Sequence, residues 1–231
     1  MLLHVSACCQ SHINWWTRLS VTEPISPAVY VELEGQMRRQ NNLFNQAAWN
    51  PAYEHLTHSI RVFVHYKPSP KFAASISPFT WFAASPIIVS PSDADAPLQH
   101  EFRYAALTEW QPELSKKWTA TLRAWAEYRH FQNESVDDAV RLRQRLGVRY
   151  RFNDKWIAFA ANELLLHVFG MAEKQHYDHN RLIFNVHYKP NARWRVELGY
   201  IYINRLLRNR MELIDENNLV THFYYTLPPK K

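Results

Sequence analysis

Polar and apolar positions alternate along most of this chain. Between Arg141 and Arg151 it reads RLRQRLGVRYR, with arginine at 141, 143, 145, 149 and 151 and Leu142, Leu146, Val148 and Tyr150 set between them. Helical spacing would scatter those arginines around the axis, whereas a period of two places all five on one face of a strand. The same period recurs over residues 15–22, 28–39, 57–67, 72–83, 99–110, 117–130, 139–152, 155–167, 179–189, 192–204 and 219–227. Connections alternate as well. Short ones fall at 23–28, 68–71, 111–116, 153–154 and 189–192, and longer polar ones at 40–56, 86–98, 131–138, 168–178 and 205–218. Short turns at one rim and long loops at the other describe an antiparallel up-and-down barrel. Bacterial single-chain barrels normally carry even strand numbers, so about 10–12 strands are expected, with one of the eleven segments missed or miscounted or an N-terminal strand absent or disguised in residues 1–12.

Alternation does not say which face is inside. Two patterns do. Aromatics flank four short turns: Tyr66 and Phe72, Trp110 and Trp118, Phe152 and Trp156, Tyr188 and Trp194. Such a ring at one level is what a membrane interface selects, and Tyr66, Trp110, Trp118, Trp156, Tyr188 and Trp194 are taken as an aromatic girdle. The nine lysines sit in turns, strand ends, one loop and the C-terminus, whereas the eighteen arginines supply nearly all mid-strand positive charge. A packed interior favours the planar, multi-donor guanidinium over the ammonium.

Carboxylates share the arginine faces. Glu32 and Glu34 go with Arg38, Glu101 and Glu109 with Arg103, Glu127 with Arg123 and Arg129, and Glu197 with Arg193 and Arg195. Adding Arg61, Arg141, Arg143, Arg145, Arg149, Glu163 and Arg181 gives a polar lumen network. On a lipid face one arginine at the bilayer midplane costs roughly 2–4 kcal/mol, so five on one strand must face a lumen. The outward set is then Val62, Val64, Leu122, Ala124, Leu146, Val148, Leu182, Phe184, Val196 and Leu198. The expected fold is an all-β transmembrane barrel, in which the arginine stripes leave the aromatics on the opposite side.

Composition adjusts this picture little. A mean hydropathy of −0.42 and the lack of any long uncharged apolar window exclude helical spans but not a barrel. The net charge of +6 is small and its signs are interleaved, and carboxylates on the arginine faces would repel phosphates, so no nucleic-acid partner is expected. Cys8 and Cys9 are adjacent and cannot build a disulfide framework. Residues 1–12 are taken as a signal-peptide remnant or a disordered N-terminus, and 13–231 as one barrel domain. Phe223, Tyr225 and Leu227 alternate in the last strand like the signal that barrel-insertion machinery reads.

The order of NWWTRLSV, HEFRY, TLRAWAEYRHF, RLRQRLGVRYRF, AANELLLHVF, HNRLIFNVHYKP and WRVELGYIYINR resembles one family, the domain of unknown function 2490. Asn162-Glu163, Asn180-Arg181 and Glu-Leu-Gly-Tyr at 197–200 carry most of the likeness, which covers nearly the whole chain after residue 13. The resemblance implies an outer-membrane β-barrel of Bacteroidota and related Gram-negative bacteria, and no established activity.

Candidate chemistry is thin. His176-Tyr177-Asp178-His179, near His167 and Glu163, has metal-ligand residue types but falls in a predicted polar loop. Ser59, Ser75, Ser77 and Ser85 have no spacing that ties them to a histidine and an Asn or Asp, which disfavours an outer-membrane enzyme of the lipase or acyltransferase type. No cofactor motif appears. Two expectations remain. Either the Arg/Glu network packs the lumen and long loops dock partners, or it lines a narrow channel that prefers a small anionic solute. The lipid bilayer is the shared partner of both.

Overall fold

The computed structural model describes residues 12–45, 48–133, 136–170, 175–207 and 211–228. Residues 1–11, and with them Cys8, Cys9 and all of the 1–12 leader expectation but its last residue, lie outside the described residues, as do the last three of the C-terminal Pro-Pro-Lys-Lys; His12 is buried and opens the first strand. The alternating segments become eleven strands in order: β1 (His12–Pro24), β2 (Val29–Gln40), β3 (Glu54–Ser69), β4 (Phe72–Ala84), β5 (Gln99–Trp110), β6 (Trp118–Phe131), β7 (Ala139–Arg151), β8 (Trp156–Phe169), β9 (Tyr177–Tyr188), β10 (Trp194–Leu207) and β11 (Glu212–Thr226). Each pairs antiparallel with its chain neighbour, and β1 and β11 close the barrel in parallel, from His12↔Glu216 to Thr22↔Thr226. With an odd number of alternating strands, first and last run the same way, so closure requires one parallel seam.

Strand parity sorts the two faces. The odd positions of β7 face inward with Arg141, Arg143, Arg145 and Arg149, and Leu142, Leu146 and Val148 face outward. Parity breaks in β4, where the ladder to β5 shifts between Ser77 and Thr80. Pro78 has no N–H to give a ladder, which suits it to a bulge. Ser77 and Thr80 then both point inward, their hydroxyls 2.8 Å apart.

Two hairpins are taller than the alternation suggests. Residues 205–218 were expected as a loop, but β10 runs to Leu207 and β11 starts at Glu212. The polar residues that read as loop are ladder residues here. Asn218 is buried and donates to the Ile201 carbonyl at 3.0 Å, and Asn204 donates to Asp215 at 2.9 Å. Likewise β9 starts at Tyr177, so Asp178, expected in the 168–178 loop, is a strand residue beside His179. At the long-loop end, the 85–98 connection packs over the last inward residue of β2. Gln40 donates to the Pro86 carbonyl at 2.9 Å and accepts from the Ile88 N–H at 3.2 Å, and Ile88 is buried.

Close approach between β9 and β10 needs Gly199. A Cβ there would overlap the Asn185 carboxamide and come within 2.7 Å of the Phe184 carbonyl oxygen. Asn185 has little room to move, because it donates to Glu197 at 2.6 Å. Gly199→Ala is therefore expected to lower stability by about 1–3 kcal/mol, read as a lower urea midpoint at unchanged slope.

Candidate functional site

The interior is a lattice of arginines and carboxylates, built strand by strand from inward positions. Glu127 on β6 accepts from Arg141 Nε at 2.8 Å and from Arg143 at 2.9 Å. Arg143 also donates to Glu163 on β8 at 2.9 Å, and Glu163 accepts from Arg181 on β9 at 3.1 Å. Arg141 reaches Asp178 at 2.6 Å, and Arg205 lies 3.9 Å from Asp178 while donating to Glu216 at 2.5 Å. Glu101 takes Arg103 and Arg129, the latter at 2.9 Å. Toward the short-turn end, Glu109 holds Arg123, Arg145 at 3.4 Å and Arg149 at 3.8 Å. Glu34 holds Arg18 at 3.0 Å and Arg61 at 3.9 Å, and Glu32 faces His65 at 3.9 Å. Glu197 accepts from Tyr224 at 2.8 Å.

Arg38 and Arg195 differ. Their guanidiniums lie over aromatic rings, 3.4 Å from the Trp16 centroid and 3.7 Å from that of Tyr224, and neither forms an ion pair or hydrogen bond with another described residue. Such stacking suits the delocalised cation. The same contact recurs in paired arginines, Arg143 over Trp125 at 3.8 Å and Arg103 over Phe82 at 3.6 Å. This corrects the expectation that aromatics fall only on the face away from arginine. Trp16, Phe63, Phe82, Trp125 and Phe159 are buried inside, where Trp16, Phe82, Trp125 and Phe159 each meet two guanidiniums and Phe63 meets Arg61 and the Trp125 ring.

Of the predicted network residues, Arg193 alone lies outside the barrel interior, among the described residues. It is exposed in the turn before β10, its N–H donating to Asn191 at 2.9 Å, because the strand begins one residue later. Sequence reading missed Trp16, Arg18, Asp178, Arg205, Glu216 and Tyr224. Parity on β1 would have placed Arg18, but the partners of the others become visible only once the barrel closes. The predicted girdle residues lie outward at the short-turn end, with ring centroids of Trp118 and Tyr150 4.7 Å apart, of Trp156 and Tyr188 4.5 Å and of Trp194 and Tyr225 4.8 Å, each pair tilted. Tyr66 and Trp110 are exposed at the same rim.

The metal candidate dissolves into this lattice. Asp178 is engaged by Arg141 and lies 3.1 Å from His179, and His176 bonds the His167 carbonyl at 2.9 Å. Among the described residues no group of three or more His, Cys, Asp or Glu is placed to hold a metal. Two of the candidate serines do meet a histidine across strands. Ser85 Oγ is 2.9 Å from His55 Nδ1, and His55 Nε2 is 2.8 Å from His58 Nδ1, with no carboxylate following among the described residues. Ser75 Oγ is 2.7 Å from His65 Nδ1, but Glu32 at 3.9 Å is beyond hydrogen-bond reach.

A cavity of about 390 Å³ occupies the interior, lined by eleven arginines and five glutamates. It reaches the short-turn rim at Lys67, Gln111, Arg149 and Arg195. At the other end Asn14, Gln40, His179 and Glu216 are almost wholly buried and do not line it. Among the described residues, then, the cavity has no opening toward the long loops.

The motifs behind the family resemblance have a structural reason. Asn162 and Asn180 face outward and exchange carboxamide hydrogen bonds at 2.6 and 3.2 Å, while the next residues, Glu163 and Arg181, face inward as register partners and pair. Among curated proteins none matches the chain. Among solved structures the NanC porin is similar, with a TM-score of 0.57 and 14% identity over 93% of this chain and 97% of that one. That likeness shows a porin-like β-barrel fold. A family model matches residues 13–212, and the chain belongs to the family described as Protein of unknown function (DUF2490).

Proposed function

We propose that the protein is an outer-membrane β-barrel of a Gram-negative bacterium whose interior is closed by its Arg/Glu lattice, with long loops that dock partners. One observation carries this. Two sets of pairs, Glu101 with Arg103 and Arg129 and the run Arg141, Asp178, Arg205 and Glu216, meet through His167, 3.4 Å from Arg129 and 3.9 Å from Asp178, at the long-loop end, and every carboxylate in them is buried. Buried charges held by two or more partners leave water little reason to enter. The outward aliphatic belt above the Trp/Tyr girdle supports the bilayer as partner, and outward Phe223 and Tyr225 on β11 support recognition by barrel-insertion machinery. Chain refolded into planar bilayers is expected to give no steady conductance, with folding checked by heat-modifiable gel mobility. Stable current steps from folded protein would overturn the closed barrel.

A second reading, a narrow channel preferring a small anionic solute, is favoured by the excess of arginine over glutamate along the cavity. It requires the long-loop seal to open.

A further inference from the structure

The cavity has more positive charge than the lattice uses. We propose that it is a one-ended binding site for a small, multiply charged oxyanion, entered from the short-turn rim and held between Arg195 near the mouth and Arg38 at the deep end. The inference rests on the closed-barrel reading for its geometry.

Four observations converge. First, eleven arginines and five glutamates line the cavity wall; Glu101, Glu127 and Asp178 behind it hold Arg103, Arg141 and Arg143, and the balance stays positive. Second, Arg38 and Arg195 are the two lining arginines with neither carboxylate nor hydrogen-bond acceptor among the described residues. Their Nε atoms are buried without partners, and Trp16 and Tyr224 hold each planar fork in place before any ligand arrives. A pre-oriented guanidinium is suited to bidentate capture of a carboxylate or phosphate. Third, the mouth adds charge. Lys67 and Arg149 line it, and Lys189 stands in the turn beside Arg195. Burial, followed by Arg195, Arg151, Arg149 and Lys67, holds the Lys189 ammonium below its ordinary pKa, a sign of how closely these cations gather. Fourth, the volume of about 390 Å³ lies within the roughly 300–1,000 Å³ range of small-molecule sites.

Charge number decides the class of ligand. A monovalent anion gains little over chloride in such a field, whereas attraction to the net positive wall grows with each further charge on a diphosphate or polycarboxylate. Neutral sugars have no claim on either stack.

Isothermal titration of the full chain in detergent at low salt, with inorganic pyrophosphate as probe, tests this. We expect saturable binding near one per barrel that weakens as KCl rises, and no heat from glucose. Arg38→Gln and Arg195→Gln are each expected to weaken binding at least tenfold. Neither removes a carboxylate's partner, so both should fold, as gel mobility will show. Arg193→Gln, in the exposed turn, is the control and should bind as the parent does. No saturable heat from folded protein, or binding unchanged in both cavity variants, would overturn the site. Steady conductance with pyrophosphate binding intact would instead remove the closed-barrel reading and leave the anion site standing.

Discussion

Replacing Glu127 with alanine is expected to destabilise the barrel by about 3–5 kcal/mol, the cost of stranding buried charge. Glu127 is only 1% exposed, and its two oxygens accept from Arg141 Nε at 2.8 Å and from Arg143 at 2.9 Å. Without it, Arg141 keeps Asp178 and Arg143 keeps Glu163, but both guanidiniums lose half their compensation in a site with little water. Glu127→Gln retains the volume and one acceptor, and should fall between parent and alanine. Urea unfolding from lipid vesicles, followed by tryptophan fluorescence, gives the difference. A cycle with Arg143→Gln should show coupling of about 0.5–3 kcal/mol, since the two groups share one hydrogen bond. A loss below about 1 kcal/mol for the alanine variant would mean that the lattice is wetter than its burial indicates.

Most of the fold was legible because its signal is local. A period of two over RLRQRLGVRYR needs no knowledge of neighbours, and parity then assigns Arg141, Arg143, Arg145 and Arg149 to one face. What stayed hidden was non-local or locally contradictory. Asp178 beside two histidines looks like a metal loop until β9 brings it to Arg141, 37 residues away in the chain. Arg18 and Tyr224, which hydrogen-bond, are 206 residues apart and meet only at the parallel seam. Asn217 and Asn218 carry turn propensity, yet they are strand residues, because Tyr200 bonds the first and Ile201 accepts from the second. The inward aromatics escaped for another reason. Hydrophobic and cationic residues were assigned to opposite faces, while a guanidinium stacked on Trp16 or Trp125 puts both on the same one.

That overlap makes the outward face the more decisive place to test the membrane. Phe184 lies on β9 four residues from the girdle Tyr188, is 53% exposed and has Leu182 and Val186 as outward neighbours. In a bilayer this depth is near the midplane, and Phe184→Arg is expected to cost about 2–4 kcal/mol. In water the same change on an exposed strand position would stay within about 0.5 kcal/mol. Leu213, 61% exposed at the long-loop end of β11, is the internal comparison. Arginine there should cost only about 0–1 kcal/mol, because the penalty fades toward the interface. Measured in vesicles, the two variants report a depth profile rather than a single loss. Equal small effects at both sites would place the aliphatic belt in water and leave the arginine-lined interior without its reason for facing inward.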